Sequence, residues 1–72
     1  MRYAIVIERS SNGFGAFVPD LPGCVAGAGS EGEVRELIRE AIEFHLEGMR
    51  QSDEPIPEPV TRVEYVEIPD VP

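Results

Sequence analysis

Few side chains in this 72-residue sequence could do chemistry near neutral pH, and they are widely separated. His45 is the only histidine, and histidine is the side chain whose ordinary pKa lies closest to neutrality. It is therefore the first candidate for a general base. However, His45 falls within an apolar series at helical spacing. That position predicts a structural, hydrogen-bonded imidazole facing a sheet or a subunit interface.

Cys24 is the only cysteine, so no disulfide can form within the chain. A reactive thiolate needs a histidine, a cationic neighbour or a helix N-terminus to lower its pKa. The predicted helix begins only at Ser30, too late to act on Cys24 through local sequence. We expect a buried structural thiol. One cysteine and one histidine cannot form a tetrahedral metal site, so we predict no metal and no cofactor.

The acidic residues are the last catalytic candidates. Glu8, Asp20, Glu36 and Glu40 could supply the carboxylates of a metal-dependent nuclease only if they converged on one point. Glu36 and Glu40 fall on the polar face of the predicted helix, which indicates a solvated acidic surface instead. We therefore predict a binding module and no enzyme.

The charge balance favours a protein partner. The chain has 14 acidic residues and 6 arginines, no lysine, and a net charge of −8. Such a balance opposes nucleic-acid binding and favours encounter with a basic partner. The alternative is that the charge only keeps a small protein in solution.

The length predicts one domain, residues 1–72, whose core is too small to be very stable. Without a disulfide or a metal, self-association is the remaining way to stabilise it, so we expect a homodimer or a larger homo-oligomer. No apolar run approaches the roughly 20 residues needed to cross a membrane, and the N-terminus does not resemble a signal peptide. With an unpaired cysteine, this predicts a cytoplasmic protein.

The apolar pattern predicts four strands, at residues 2–8, 14–18, 24–28 and 60–68. The first strand is apolar on both faces, which is typical of a central strand. Asn12-Gly13 predicts a hairpin turn because both residues tolerate positive φ. Pro22-Gly23 predicts a second tight turn, in which Gly23 takes positive φ.

A helix begins after Ser30, where Ser30 and Glu33 form a capping box. It presents one apolar stripe, made of Val34, Leu37, Ile38, Ala41, Ile42, His45 and Met49. Residues 51–59 follow as an acidic, proline-rich connector to the last strand. The predicted class is α+β, in the order β-β-β-α-β, with one helix packed on a mostly antiparallel sheet.

Three segments in this order resemble the N-terminal domain of HicB-like antitoxins. They are residues 20–24 (DLPGC), residues 40–48 (EAIEFHLEG) and residues 54–59 (EPIPEP). The resemblance extends from Tyr3 to about Val66. It implies a partly degraded ribonuclease-H-like fold that lacks the nuclease acids.

The resemblance also implies a function and a partner. Members of this family inhibit a small basic toxin that cleaves mRNA, by covering its catalytic histidine and its RNA-binding surface. For this chain we expect the turn at Pro19, Asp20, Leu21 and Pro22 to contribute to partner binding, together with acidic residues. Many relatives carry a further DNA-binding domain, but this sequence ends at Pro72, so we expect no direct contact with nucleic acid.

One alternative stays open at this point. The chain could be a stand-alone structural or regulatory module of the same fold that self-assembles without a toxin partner.

Overall fold

The computed structural model describes residues 1–70. Three strands, β1 (Val6–Ser10), β2 (Gly13–Phe17) and β3 (Val25–Ala28), precede one helix, α1 (Glu31–Gln51). The strands form an antiparallel sheet in the order β1-β2-β3. The α+β class, the three antiparallel strands and the helix are thus confirmed.

The β1–β2 hairpin closes through Ser11 and Asn12, because Ser10 pairs with Gly13. The turn is therefore centred one residue before the predicted Asn12-Gly13 pair. Gly13 adopts a φ of 153°, and a Cβ atom there would lie 2.5 Å from the carbonyl oxygen of Ala28. No side chain fits at that distance, so the close approach of the strand β3 requires glycine at this position.

β1 lies at the edge of this sheet, and the prediction of a central strand is wrong for the isolated chain. It also starts at Val6, later than predicted. Val6 pairs with Phe17, the last residue of β2, and the chain then turns away at Pro19. Residues 2–5 consequently have no strand opposite them.

The helix α1 is defined by its ends. Ser30 has extended backbone angles, and its hydroxyl oxygen accepts a hydrogen bond from the Glu33 N–H at 3.2 Å, as the capping box predicts. At the other end, the Asp53 N–H donates to Arg50 and the Glu54 N–H donates to Met49. With Asp53 at a φ of 56°, this is a Schellman arrangement, which satisfies carbonyl groups of the last turn.

The core lies between α1 and the sheet. Its buried residues are Ala16, Val18, Leu21, Cys24, Val34, Ile38 and Leu46. The predicted stripe is confirmed at Val34 and Ile38, but Leu37 is 42% exposed, while Leu46, outside the predicted stripe, is buried. The buried face of the helix is thus narrower than the predicted apolar stripe near the N-terminus of α1. Near the C-terminus of α1 it includes Leu46.

Residues 60–68 form no strand within residues 1–70, so the predicted fourth strand is wrong for the isolated chain. The connector before them packs on the body through Ile56, which contacts the core. Beyond Thr61 the chain runs beside β1, but no backbone hydrogen bond joins it to the sheet. We call residues 62–68 the C-terminal arm.

Candidate protein-interaction surface

The loop from Val18 to Cys24 consists of two consecutive turns. The Leu21 N–H donates to the Val18 carbonyl at 3.1 Å, and the Cys24 N–H donates to the Leu21 carbonyl at 3.0 Å. Gly23, in the second turn, has a φ of 86°, as predicted from Pro22-Gly23. The Val18 N–H donates to the Cys24 carbonyl at 3.2 Å and closes the base of the loop.

The four residues expected to bind a partner occupy different environments in this loop. Pro22 is exposed, whereas Pro19 and Asp20 are half-buried. Leu21 is fully buried in the core, so its side chain cannot contact a partner while the domain is folded. A turn that looks polar and exposed in the sequence therefore holds a core residue, because the double turn folds Leu21 back beneath it.

The carboxylate of Asp20 is engaged within the chain. Its Oδ2 accepts a hydrogen bond from the Thr61 N–H at 3.0 Å, and its Oδ1 accepts one from the Thr61 hydroxyl at 2.8 Å. These two donors hold the pKa of Asp20 below its usual value. We call this pair of hydrogen bonds the Asp20–Thr61 clasp.

A third hydrogen bond holds the connector on the body. The Tyr3 hydroxyl donates to the Pro57 carbonyl oxygen at 2.5 Å. Burial raises the pKa of Tyr3, and the negative charges of Asp20 and Glu58 raise it further, so the phenol stays a donor at neutral pH. The connector is therefore fixed to the domain on both sides of Glu58.

The face of the sheet opposite α1 carries an uncovered apolar row. Phe17 is the cross-strand partner of both Val6 and Val25, so these three side chains lie side by side across all three strands. Val25 is 64% exposed and Phe17 is 37% exposed. We call Val6, Phe17 and Val25 the outer row; it lies next to the exposed Pro22, because the double turn joins β2 to β3.

The outer row was not among the sites predicted from the sequence. The sequence did contain a signal for it. Successive side chains of a strand point to opposite faces, so the apolar Phe17 lies on the face opposite the buried Ala16 and Val18. A strand with apolar side chains on both faces is expected to pack against other elements on both sides. Within residues 1–70, the helix covers only one of these faces.

The helix contributes an acidic surface on the other side of the domain. Glu36, Glu40 and Glu43 are exposed there. Two ion pairs lie on this helix, Arg35–Glu31 at 3.0 Å and Arg50–Glu47 at 3.7 Å. Both are solvent-exposed, so they add little stability.

The two candidate reactive residues have structural environments. Cys24 is buried, as predicted, and burial raises the pKa of its thiol. His45 is half-buried on α1, and its ring has no hydrogen-bond partner in the part of the chain that the structure describes, so its structural role stays a prediction.

The acidic residues considered for a nuclease site do not form a metal-binding cluster. No group of three His, Cys, Asp or Glu side chains suited to a metal ion occurs among residues 1–70. In the same residues, no helix is long and apolar enough to cross a membrane.

The chain is a small α+β domain in which one face of a three-stranded antiparallel sheet is covered by a helix and the other carries an apolar row. The sequence of this domain matches the family described as HicB_like antitoxin of bacterial toxin-antitoxin system over residues 3–72. The chain belongs to that family, and the resemblance found in its motifs is confirmed.

Several relatives share the sequence. A protein of Haemophilus phage HP1 (strain HP1c1), described as uncharacterized and encoded in the rep-hol intergenic region, is 37% identical over 97% of this chain and 53% of its own length. The chain thus spans about half of that phage relative. A UPF0150 protein of Helicobacter pylori (strain J99) is 49% identical over 68% of this chain and 67% of its own length.

One solved structure shares the fold at moderate identity. A chain of the HicA3 and HicB3 toxin-antitoxin complex superposes with a TM-score of 0.72 and 27% identity. The match covers 83% of this chain and 70% of that one.

Proposed function

We propose that this protein is an antitoxin that binds a small basic, mRNA-cleaving toxin and blocks it. The observation that carries the proposal is an uncovered apolar row on a domain of this family whose overall charge is −8. An apolar centre would supply most of the binding energy, while the acidic surroundings would speed the encounter with a basic protein.

Within this proposal, the contact surface is the outer row together with Pro19 and Pro22. Phe17 and Val25 form the cross-strand pair of β2 and β3 that lies nearest to the turn, on the face opposite α1. The exposed turn adjoins this pair. Buried aromatic side chains at the centre of an interface commonly dominate affinity, which favours Phe17 as the main contact. Asp20 and Leu21, expected earlier to touch the partner, are instead assigned to holding Thr61 and to the core.

The test is inhibition of the candidate toxin, a short basic protein encoded beside this gene. Purified antitoxin should form a complex with it and stop its cleavage of RNA. Val25→Glu places a charge in the outer row and should weaken binding at least about tenfold, since a carboxylate buried without a partner costs several kcal/mol.

Phe44→Glu is the matched control. Phe44 is 84% exposed on α1, away from the outer row, so this change should leave binding intact. Absence of binding and of inhibition by the wild-type protein would overturn the antitoxin proposal. Loss of binding in Phe44→Glu, with none in Val25→Glu, would move the contact surface to the helix.

The expected absence of direct DNA contact remains a prediction. So does the cytoplasmic location. The homo-oligomer expected from the small core is likewise a prediction.

A further inference from the structure

The C-terminal arm exposes an unusual amount of apolar surface. Val63, Tyr65, Val66 and Ile68 are between 56% and 96% exposed. Their β-branched and aromatic side chains favour a strand. Yet no backbone hydrogen bond joins residues 62–68 to the rest of residues 1–70.

The overall dimensions agree with an exposed, unpacked segment of this size. A compact protein of 7.9 kDa should expose about 4,400 Å², whereas this chain exposes 5858 Å². The excess is larger than the roughly 800 Å² that one partner buries in a standard interface. The radius of gyration is likewise 14.7 Å, against about 11 Å for a compact chain of this length.

An acceptor for a strand lies beside the arm. β1 is an edge of the sheet, and one side of its backbone is unpaired. A cleft of about 630 Å³ separates residues 2–4 from residues 59–63, and a second, of about 520 Å³, lies among Ile5, Ile7, Phe14 and Tyr65. Paired strands lie less than 5 Å apart with no such cleft between them, so the arm flanks the edge without pairing to it.

The connector that leads to the arm is anchored on the domain. The Asp20–Thr61 clasp and the Tyr3–Pro57 hydrogen bond fix its position. Prolines at 55, 57 and 59 stiffen the segment between them. The arm therefore begins from a base that is anchored beside the start of β1.

The charges of the two segments are complementary. Residues 2–9 carry two arginines and one glutamate, whereas residues 62–68 carry one arginine and two glutamates. Opposite charges on adjacent strands stabilise pairing and like charges oppose it. This balance favours β1 as the arm's docking site despite the acidity of the whole chain.

We propose that the C-terminal arm adds as a strand to the free edge of β1 in a second copy of this chain. Every copy offers one arm and one edge, so a reciprocal exchange about a two-fold axis uses both and leaves neither exposed. The exchange covers an exposed edge, which otherwise invites uncontrolled association. It gives the expected homo-oligomer a defined interface and does not depend on the toxin.

The experiment compares self-association of three full-length proteins by sedimentation equilibrium. The wild type should be a dimer at micromolar concentration. Val66→Asp should weaken dimerisation at least about tenfold, because a carboxylate would replace an apolar side chain at the new interface. Phe44→Asp, a change at an equally exposed apolar residue outside the arm, should leave the dimer unchanged. Circular dichroism would show whether each variant is folded.

Nuclear Overhauser contacts in a mixture of isotope-labelled and unlabelled protein would locate the arm. We expect contacts between residues 62–68 of one copy and β1 of the other. A monomeric wild type, a dimer that survives Val66→Asp, contacts between the arm and β1 of the same chain, or an arm that becomes ordered only on adding the toxin would each overturn the proposal. Toxin inhibition is measured separately, so the two proposals can fail independently.

Discussion

At the scale of single residues, Leu21 illustrates how a turn residue can be essential to the core. It is fully buried although it lies between two prolines in a loop. We predict that Leu21→Ala lowers the free energy of unfolding by about 2–5 kcal/mol, through lost apolar burial and the cavity left behind. A domain this small could unfold completely.

The same substitution at Leu37 is the control for Leu21→Ala. Leu37 is 42% exposed, so Leu37→Ala should cost much less. Urea denaturation of both variants gives the comparison. Equal losses of stability at the two sites would contradict the burial of Leu21.

Asp20 makes a pH-dependent contact. Its pKa is lower in the folded chain than its ordinary value because Thr61 donates two hydrogen bonds to the ionised carboxylate. The stabilisation is therefore fully present above the unfolded-state pKa of about 3.9 and is lost as the pH falls through the lower folded-state value. The Thr61 amide resonance should shift with a midpoint below about 3.9.

The Asp20→Asn variant provides the control for this titration. It lacks the ionisable group, so its Thr61 amide should show no such transition. A wild-type midpoint at or above the ordinary carboxyl value would mean that the clasp does not form in solution.

At the scale of elements, the β1–β2 hairpin depends on a glycine for reasons outside the turn itself. A Cβ atom at Gly13 would meet the Ala28 carbonyl oxygen at 2.5 Å, whereas one at Gly15 would lie 3.9 Å from the Ala26 carbonyl oxygen. We predict that Gly13→Ala destabilises the domain by roughly 1–3 kcal/mol, because the added Cβ clashes and the φ is strained. Gly15→Ala should be nearly neutral, because its Cβ would make only an ordinary van der Waals contact.

Thermal unfolding of the two glycine variants tests this prediction. If Gly13→Ala unfolds at the same temperature as Gly15→Ala, β3 does not approach Gly13 as closely as the structure indicates.

At the scale of the whole molecule, the charge of −8 acts in opposite directions on the two proposed associations. Two copies of an acidic chain repel one another, and salt screens that repulsion, so the dimer should tighten as NaCl rises from about 0.05 M to about 0.5 M. A complex with a basic toxin should weaken over the same range. Sedimentation for the dimer and titration calorimetry for the complex would measure both trends.

If salt strengthened both associations, or weakened both, one of the two proposed interfaces would be contradicted. A dimer that weakens with salt would indicate an interface held mainly by ion pairs rather than by the apolar arm. A toxin complex that tightens with salt would argue against a basic partner.

The sequence by itself determined the local structure. The Ser30–Glu33 cap and the apolar spacing of α1 predicted the helix, Asn12-Gly13 and Pro22-Gly23 marked both turns, and three motifs indicated the family. These features arise from neighbours a few residues apart, whose backbone preferences and periodicity can be read directly. They were enough for the α+β class and three of the four predicted strands.

Tertiary structure alone decided the contacts between distant segments. Asp20 binds Thr61, 41 positions away, and Leu21 enters the core beneath a turn. Strand-forming residues at 60–68 remain unpaired, because a strand needs a hydrogen-bonding neighbour as well as a suitable pattern. Pattern shows which faces can be buried, but only the arrangement of the whole chain determines which faces and edges are left for another molecule.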